Sequence, residues 1–520
     1  MKFLAYDLRR IEAPGEQHFC VYDPISGEYS HLSLSKLLKS KVTFCCVQSS
    51  ILLDIIRESG SKKVIALVDI ADMAVLAAGR PGFSRAIKDP RRTLNLLSKL
   101  TGRPVPTKFS LAQKEVHASL RKNDLKKKAN WLSETYSILL SQLREKNEIN
   151  RWESVEKPLA SIITKAEYRG VKISRDLLQL HLENIDKEIR AIERNLRVDF
   201  KIQDWTDKER VSKVFRESGL PAWSEELFRE KAAEWKILED AKSPLVRSWT
   251  RIKKLSRYKS ILLRCFPGRS NRAYPVFDLS GTVTSRILVK DPSIQNLPKH
   301  FRNIVVPAKD RSFVYIDYRQ FEPAILLASI GVNKSRLDIY ESLAFALGGQ
   351  IDRDTAKVVV MSYLYGIGEK KLERLLKESF GVSFAKTRES IRLLKSNLPG
   401  LDVFLKDLLS EYSRVGSIST EMGNHRYMFL SPVKNGRRLL SHYLQGTGAL
   451  LLKLAILRCS EEAKGARLLL PMHDGAVFEV SKAEKDRVTR QLVSAFEEAP
   501  EEIFPGSHFQ VDEKSFRSSV

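Results

Sequence analysis

The sequence predicts a multidomain α/β (α+β) chain, on three observations. Residues 1 to about 140 alternate short apolar runs, "FLAYDL", "VTFCCV" and "KVIALVDI", with helical stretches, the pattern of an α/β module. From Pro158 to about Leu262 apolar residues recur at helical spacing, most clearly in "ENIDKEIRAIERNLRVDF" and "LVRSWTRIKKLSRYKSILL", so this part is mostly helix. After "PGRSNR" strand and helix patterns mix again through to Val520.

The chain's 520 residues suggest about three domains with ample buried core. Its 88 Lys and Arg against 63 Asp and Glu leave a formal charge of +25. Such an excess calls for a polyanionic partner, nucleic acid ahead of membrane, although charge alone also fits a solvated basic surface. No apolar run reaches the roughly 18 residues of a membrane span, and "MKFLAYDLRR" reads as a strand rather than a leader. The expectation is a soluble, cytoplasmic monomer. Cys20, Cys45, Cys46, Cys265 and Cys459 form no CxxC pair, which argues against a disulfide framework and a zinc site.

Three stretches carry chemistry. In "RSFVYIDYRQFEPAILLASI" a strand pattern ends at Asp317 and a helix begins near Glu322 and Pro323, since Pro suits a first helical turn. A carboxylate at a strand end projects beyond the sheet, where ligands bind; alone it could equally cap the helix. "LLLPMHDGAVFEV" sets His473, Asp474 and Gly475 between apolar runs. Asp-Gly is a common hairpin turn because Gly accepts positive φ. Two Asp residues on adjacent strands can instead hold two Mg²⁺ about 4 Å apart, the arrangement of nucleotidyl transfer. In "DRDTAKVVVMSYLYGIG" Arg353, Lys357, Met361 and Tyr365 recur at i+4 and share a helix face. Two cations in the first turns oppose the helix dipole unless an anion such as a triphosphate docks there; an ordinary amphipathic helix is the plainer reading. Gly366 and Gly368 end the pattern.

Together these stretches resemble family A DNA polymerases. "DYRQFEPAILLA" is similar to the family's first motif, "RDTAKVVVMSYLYG" to its fingers helix and "MHDGAVFE" to its third motif. "KPLASIITKAEYRGVKIS", "GTVTSRILVKDPSIQNLP", "LPGLDVFLKDLLSEYSRVGSISTEMGNHRY" and "RLLSHYLQGTGALLLKLAIL" agree in order and spacing. The resemblance covers roughly residues 150 to 500. It implies a right-hand polymerase of palm, fingers and thumb, preceded by an RNase H-like exonuclease-type domain. The implied boundaries are 1–148 for that domain, 149–270 for the thumb, 271–331 and 415–520 for the palm, and 332–414 for the fingers. The implied activity is template-directed addition of deoxynucleotides to a primer 3′ end, with two Mg²⁺ (or Mn²⁺) and with primer-template DNA and dNTPs as partners.

Residue by residue, the resemblance makes Asp317 and Asp474 the metal ligands. Arg353 and Lys357 would grip the triphosphate, Lys357 also protonating pyrophosphate. Glu322 would be the steric gate against a ribose 2′-hydroxyl, Tyr365 would close the base-pair pocket by bonding to it, and Tyr340, Gln320 and Met361 complete the nucleotide site. Arg286 and Gln445 would feel minor-groove edges, His473 would steady the primer terminus, and Asn296, Lys254 and Lys259 would contact DNA.

The departures are specific. Gly475 replaces the usual Glu, Arg319 a small polar residue, Pro323-Ala324 an apolar-basic pair, Met361 an aromatic residue and Ser441 an Asn; altered fidelity or sugar discrimination is expected. In the N-terminal domain, Asp7 and Asp54 match exonuclease positions, but Arg9, Ser50, Ala129 and Ser133 stand where the family has Glu, Asn, Tyr and Asp. The expectation is a non-catalytic relic and no proofreading. Size and the absence of a 5′-nuclease domain look similar to phage or plasmid polymerases. Two alternatives stay open: a degenerate DNA-binding scaffold, and a single-subunit RNA polymerase, against which Glu322 argues.

Overall fold

The computed structural model describes residues 1–6, 19–79, 90–106, 118–218, 243–266, 271–332, 338–346, 351–366, 369–380, 382–426 and 436–517. Near the N-terminus five short strands, β1 (Lys2–Ala5), β2 (Phe19–Asp23), β3 (Glu28–Leu32), β4 (Phe44–Cys46) and β5 (Leu67–Asp69), form a sheet in the order β3-β2-β1-β4-β5. The first three are antiparallel; β4 and β5 join in parallel, as crossover helices require. Helix α1 (Ser49–Glu58) makes the crossover from β4 to β5, and α2 (Ile70–Ala78) follows β5, capped by Asp69, which accepts from Ala71 N at 3.1 Å. Alternation along β1 sends Phe3 into the main core and Leu4 into a second core with Phe19, Leu52 and Ile56. Helix α3 (Ala118–Glu145) packs across β1 and β2.

The middle of the chain is helical, as its periodicity predicts. Helix α4 (Lys157–Arg169) leads to α5 (Arg175–Phe200), capped by Ser174, and α5 packs along α6 (Pro244–Arg264), which opens with Pro at its first turn. Their far ends enclose a separate small core of Leu196, Val211, Phe215, Trp249 and Ile252, in which the Phe215 and Trp249 rings meet edge to face at 5.6 Å.

The C-terminal half centres on an antiparallel four-stranded sheet. Strand β6 (Arg311–Tyr318) is followed by α7 (Phe321–Ser329); then come α8 (Ile339–Ala346), α9 (Arg353–Leu364), α10 (Glu369–Phe380), α11 (Phe384–Asn397) and α12 (Leu401–Val415). The chain returns through the long α13 (Arg437–Glu462), β7 (Arg467–Pro471), β8 (Gly475–Ser481), α14 (Lys485–Glu498) and β9 (Val511–Lys514). Sheet order is β7-β8-β6-β9. One continuous core joins this sheet to the N-terminal one. It includes Val314, Ile316, Val477 and Phe478 from the sheet and Leu444, Leu451 and Leu454 from α13.

Candidate active site

Register brings the two predicted carboxylates together. In the β6–β8 ladder Asp317 stands opposite Gly475, so Asp474 leaves the connection 472–474 beside it, and Tyr318 N donates to Asp474 O at 3.0 Å. Asp317 is 8 % exposed, whereas Asp474 is more open. Burial pushes the Asp474 carboxyl above the ordinary carboxylate range; Arg286, 4.0 Å away, opposes this, and Asp317 adds to it. Two carboxylates held side by side at the end of a sheet are a setting for a cation. Among the described residues no three His, Cys, Asp or Glu side chains gather as a ready-made metal cage.

Gly475 is needed for a reason other than the one its sequence context suggests. Its φ is not among the positive ones, so left-handed turn geometry does not demand glycine here. Instead a Cβ at 475 would meet Ile316 O at 2.2 Å and Asp317 Cα at 2.7 Å. The β6 backbone lies against β8 where a side chain would start, so the absence of the usual Glu is built into the strand pair.

A second cluster joins α7 to the end of α9. Glu322, 7 % exposed near the start of α7, receives Arg286 Nη2 on Oε1 at 2.9 Å and the Tyr365 hydroxyl on Oε2. Burial raises the Glu322 carboxyl, while the Tyr365 bond and Arg286 restrain the rise. Tyr365, Glu322, Arg286 and Asp474 thus form one chain of polar contacts, with Gln445 of α13 close enough to act on Tyr365. Helix α9 ends at Leu364, with Tyr365 just past it and Gly366 at φ 79°.

The remaining nucleotide-site candidates line α8 and α9. Gln320 Oε1 accepts from Ile339 N at 2.9 Å, tying the start of α7 to α8. Buried Tyr340 donates to Met361 Sδ at 3.5 Å, and Arg353 lies over its ring at 5.4 Å. Arg353 is also held by Asp338 at 2.9 Å and Glu341 at 3.5 Å. Lys357 is exposed, has no ion pair among the described residues, and lies close enough to Asp474 for its charge to act there.

His473, exposed beside Asp474 on the same connection, feels the charges of Arg286, Asp474 and Asp317. Asn296 is exposed. On α6, Lys259 pairs with Asp186 at 2.6 Å and Arg251 with Glu188 at 2.6 Å, both across to α5, and Lys253 sits 4.0 Å from the Trp249 ring. Much of this basic row thus helps join the helix pair; Lys254 is half-buried on the same helix. Asp54 is exposed and bonded to Arg57, Ala129 is fully buried in α3, and Asp7 lies outside the described residues.

Sequence reasoning missed Tyr315 and Lys514. Tyr315 donates to Asp317 Oδ1 at 2.7 Å, and Lys514 of β9 bonds to Oδ2. The period of two along β6 could have placed Tyr315 on the Asp317 face; no local signal marks Lys514.

The family model described as DNA polymerase family A matches residues 177–507. The chain belongs to DNA polymerase family A. This family A chain is 26 % identical over 376 residues to the thermostable DNA polymerase I of Thermus thermophilus, covering 65 % of this chain and 44 % of that protein. It is 24 % identical over 381 residues to DNA polymerase I of Helicobacter pylori, covering 67 % and 42 %. It thus spans less than half the length of these curated relatives. A solved structure of the POL domain of Pol1 from M. smegmatis, a complex with DNA primer-template and dNTP, matches with TM-score 0.75 at 15 % identity, covering 99 % of this chain and 95 % of that one. The likeness shows that the chain has the α+β fold of that polymerase domain.

Proposed function

We propose that the chain is a template-directed DNA polymerase that adds deoxynucleotides to a primer 3′ end by metal-assisted nucleotidyl transfer. The observation carrying this reading is that Asp317 and Asp474 meet across one strand pair within the electrostatic reach of Lys357, in a family A chain. Carboxylate oxygens suit Mg²⁺, with Mn²⁺ as a substitute, and Asp317 and Asp474 are the residues that would hold the ions. When bound, such ions neutralise charge and activate the 3′-hydroxyl.

The chain's own groups do the rest. Lys357 and Arg353 hold the triphosphate, Arg353 pre-aimed by Asp338, and Lys357 is placed to give a proton to the leaving pyrophosphate. Glu322, fixed between Arg286 and Tyr365, crowds the sugar 2′ position, Met361 backs the base pocket, and Tyr340, bonded to Met361, stands at the family's phosphate-contacting position. We read 149–270 as thumb, 271–331 and 415–520 as palm and 332–414 as fingers. The N-terminal sheet is a nuclease-type module without activity: Asp54 is engaged by Arg57, and Ala129 and Ser133 replace two needed side chains.

Primer extension by the wild type, Asp317→Asn and Asp474→Asn, with dNTPs and with NTPs, tests the reading. Extension with dNTPs by the wild type and silence of both variants supports it. A wild type that binds primer-template yet extends with neither substrate makes the chain a DNA-binding scaffold, and extension with NTPs only makes it an RNA polymerase. DNA binding should weaken steeply with salt, because phosphate contacts release counterions.

A further inference from the structure

Strand β9 flanks β6 on the side away from β8 and forms the edge of the sheet. Lys514 stands opposite Tyr315 and Asp512 opposite Asp317, and facing residues of an antiparallel ladder share a side. Two ion pairs result: Asp512 is met by Arg319 Nε at 3.4 Å, and Lys514 reaches diagonally to Asp317 Oδ2. The other oxygen of Asp317 already accepts from Tyr315. Protein donors therefore occupy both oxygens of a carboxylate that Proposed function assigns to metal. At Asp474, by contrast, Arg286 stands off at 4.0 Å.

Lys514 is able to leave. Its side chain is 45 % exposed at the end of an edge strand, and it lines a cleft of about 550 Å³ that also holds Arg311, Lys482, Lys485 and Arg517. Glu513 also lines this cleft and offers the ammonium a second carboxylate.

We propose that Lys514 is the resident counter-ion of Asp317 and competes with a divalent cation for it, so that metal enters as the lysine swings away into the cleft. The role is that of a positioning residue, and it rests on the two-metal reading of Asp317 and Asp474.

The test is Mn²⁺ binding to the full chain without nucleotide, read as loss of the free-ion electron paramagnetic resonance signal. Compared are the wild type, Lys514→Ala, Lys514→Met, Lys514→Arg and an Asp317→Asn/Asp474→Asn double variant as blank, with thermal melting to confirm folding. Lys514→Ala and Lys514→Met should bind Mn²⁺ about three- to fivefold tighter, the range a partly exposed ion pair can impose. Lys514→Arg should stay near the wild type. If the wild type exceeds the blank but neither neutral variant binds tighter, the role of Lys514 is overturned while the metal site stands. If neither the wild type nor the two neutral variants exceed the blank, the metal site and the proposal fall together.

Discussion

The Tyr365 hydroxyl donates to the Glu322 carboxylate that Arg286 grips from its other side at 2.9 Å. The bond spans the joint between the end of α9 and the start of α7, so the position of α9 sets where the Glu322 carboxylate points. Glu322→Ala should leave Arg286 and Tyr365 without their buried partner and open the space beside a sugar 2′-hydroxyl. The preference for dNTP over NTP, measured as the ratio of kcat/KM on one template, is expected to fall about ten- to a hundredfold. An unchanged ratio would remove Glu322 as the gate.

Gly475→Ala is the smallest change that tests the close approach of β8 to β6. With Ile316 O 2.2 Å and Asp317 Cα 2.7 Å from the new methyl, both partners are backbone and cannot rotate away. The strands must part, which costs about 1–3 kcal/mol and displaces Asp317 relative to Asp474. We expect a lower denaturation midpoint together with a large loss of primer extension. Gly475→Glu should be worse than Ala rather than restoring a useful acid. A fully stable and active Ala variant would show that the ladder has room after all.

How far the sequence was legible depends on the range of each interaction. Asp317, Glu322 and the α9 face were readable because strand end, turn and helix start follow one another within a few residues, and the i+4 spacing is local. The α5–α6 pair was readable from apolar periodicity. What those patterns could not reveal is which partner meets a side chain: the acids that take up Arg251 and Lys259 lie on the facing helix, and Lys514 meets Asp317 across 197 residues. The hairpin at Asp474-Gly475 is legible, and Met472 N donates to Gly475 O at 2.8 Å within it; the reason for glycine is not, since the contact that requires it is made by another strand.

A buried ionic group fastens α13 to the segment before α4. Fully buried Lys453 binds both oxygens of Glu156 at 2.8 Å, and Arg151 Nε reaches Oε1 at 3.0 Å. Burial alone would raise the Glu156 carboxyl, but Lys453 and Arg151 together hold it below its usual value. Lys453→Met should leave a buried anion half-compensated, at a cost of about 3–5 kcal/mol in chemical denaturation. Adding Glu156→Gln should recover part of that loss. Additive costs in the double variant would mean that the two groups do not act as a pair.

His442 of α13 gives the protein a pH-dependent stability on its acid side. The ring is 7 % exposed and its Nε2 has no partner among the described residues. Burial, with Arg426 adding to it, pulls the imidazole from 6.5 to about 4. The folded state therefore keeps His442 neutral, while an unfolded chain takes up a proton as pH falls below 6.5. The stability contribution is whole above 6.5 and is lost as pH falls from there through about 4, at about 1.4 kcal/mol per pH unit. His442→Gln removes the titrating group. The unfolding free energies of wild type and variant should draw together by about 2–3 kcal/mol between about pH 7 and about pH 4.5. A gap that stays constant over that range would mean that His442 titrates alike in both states, against its burial.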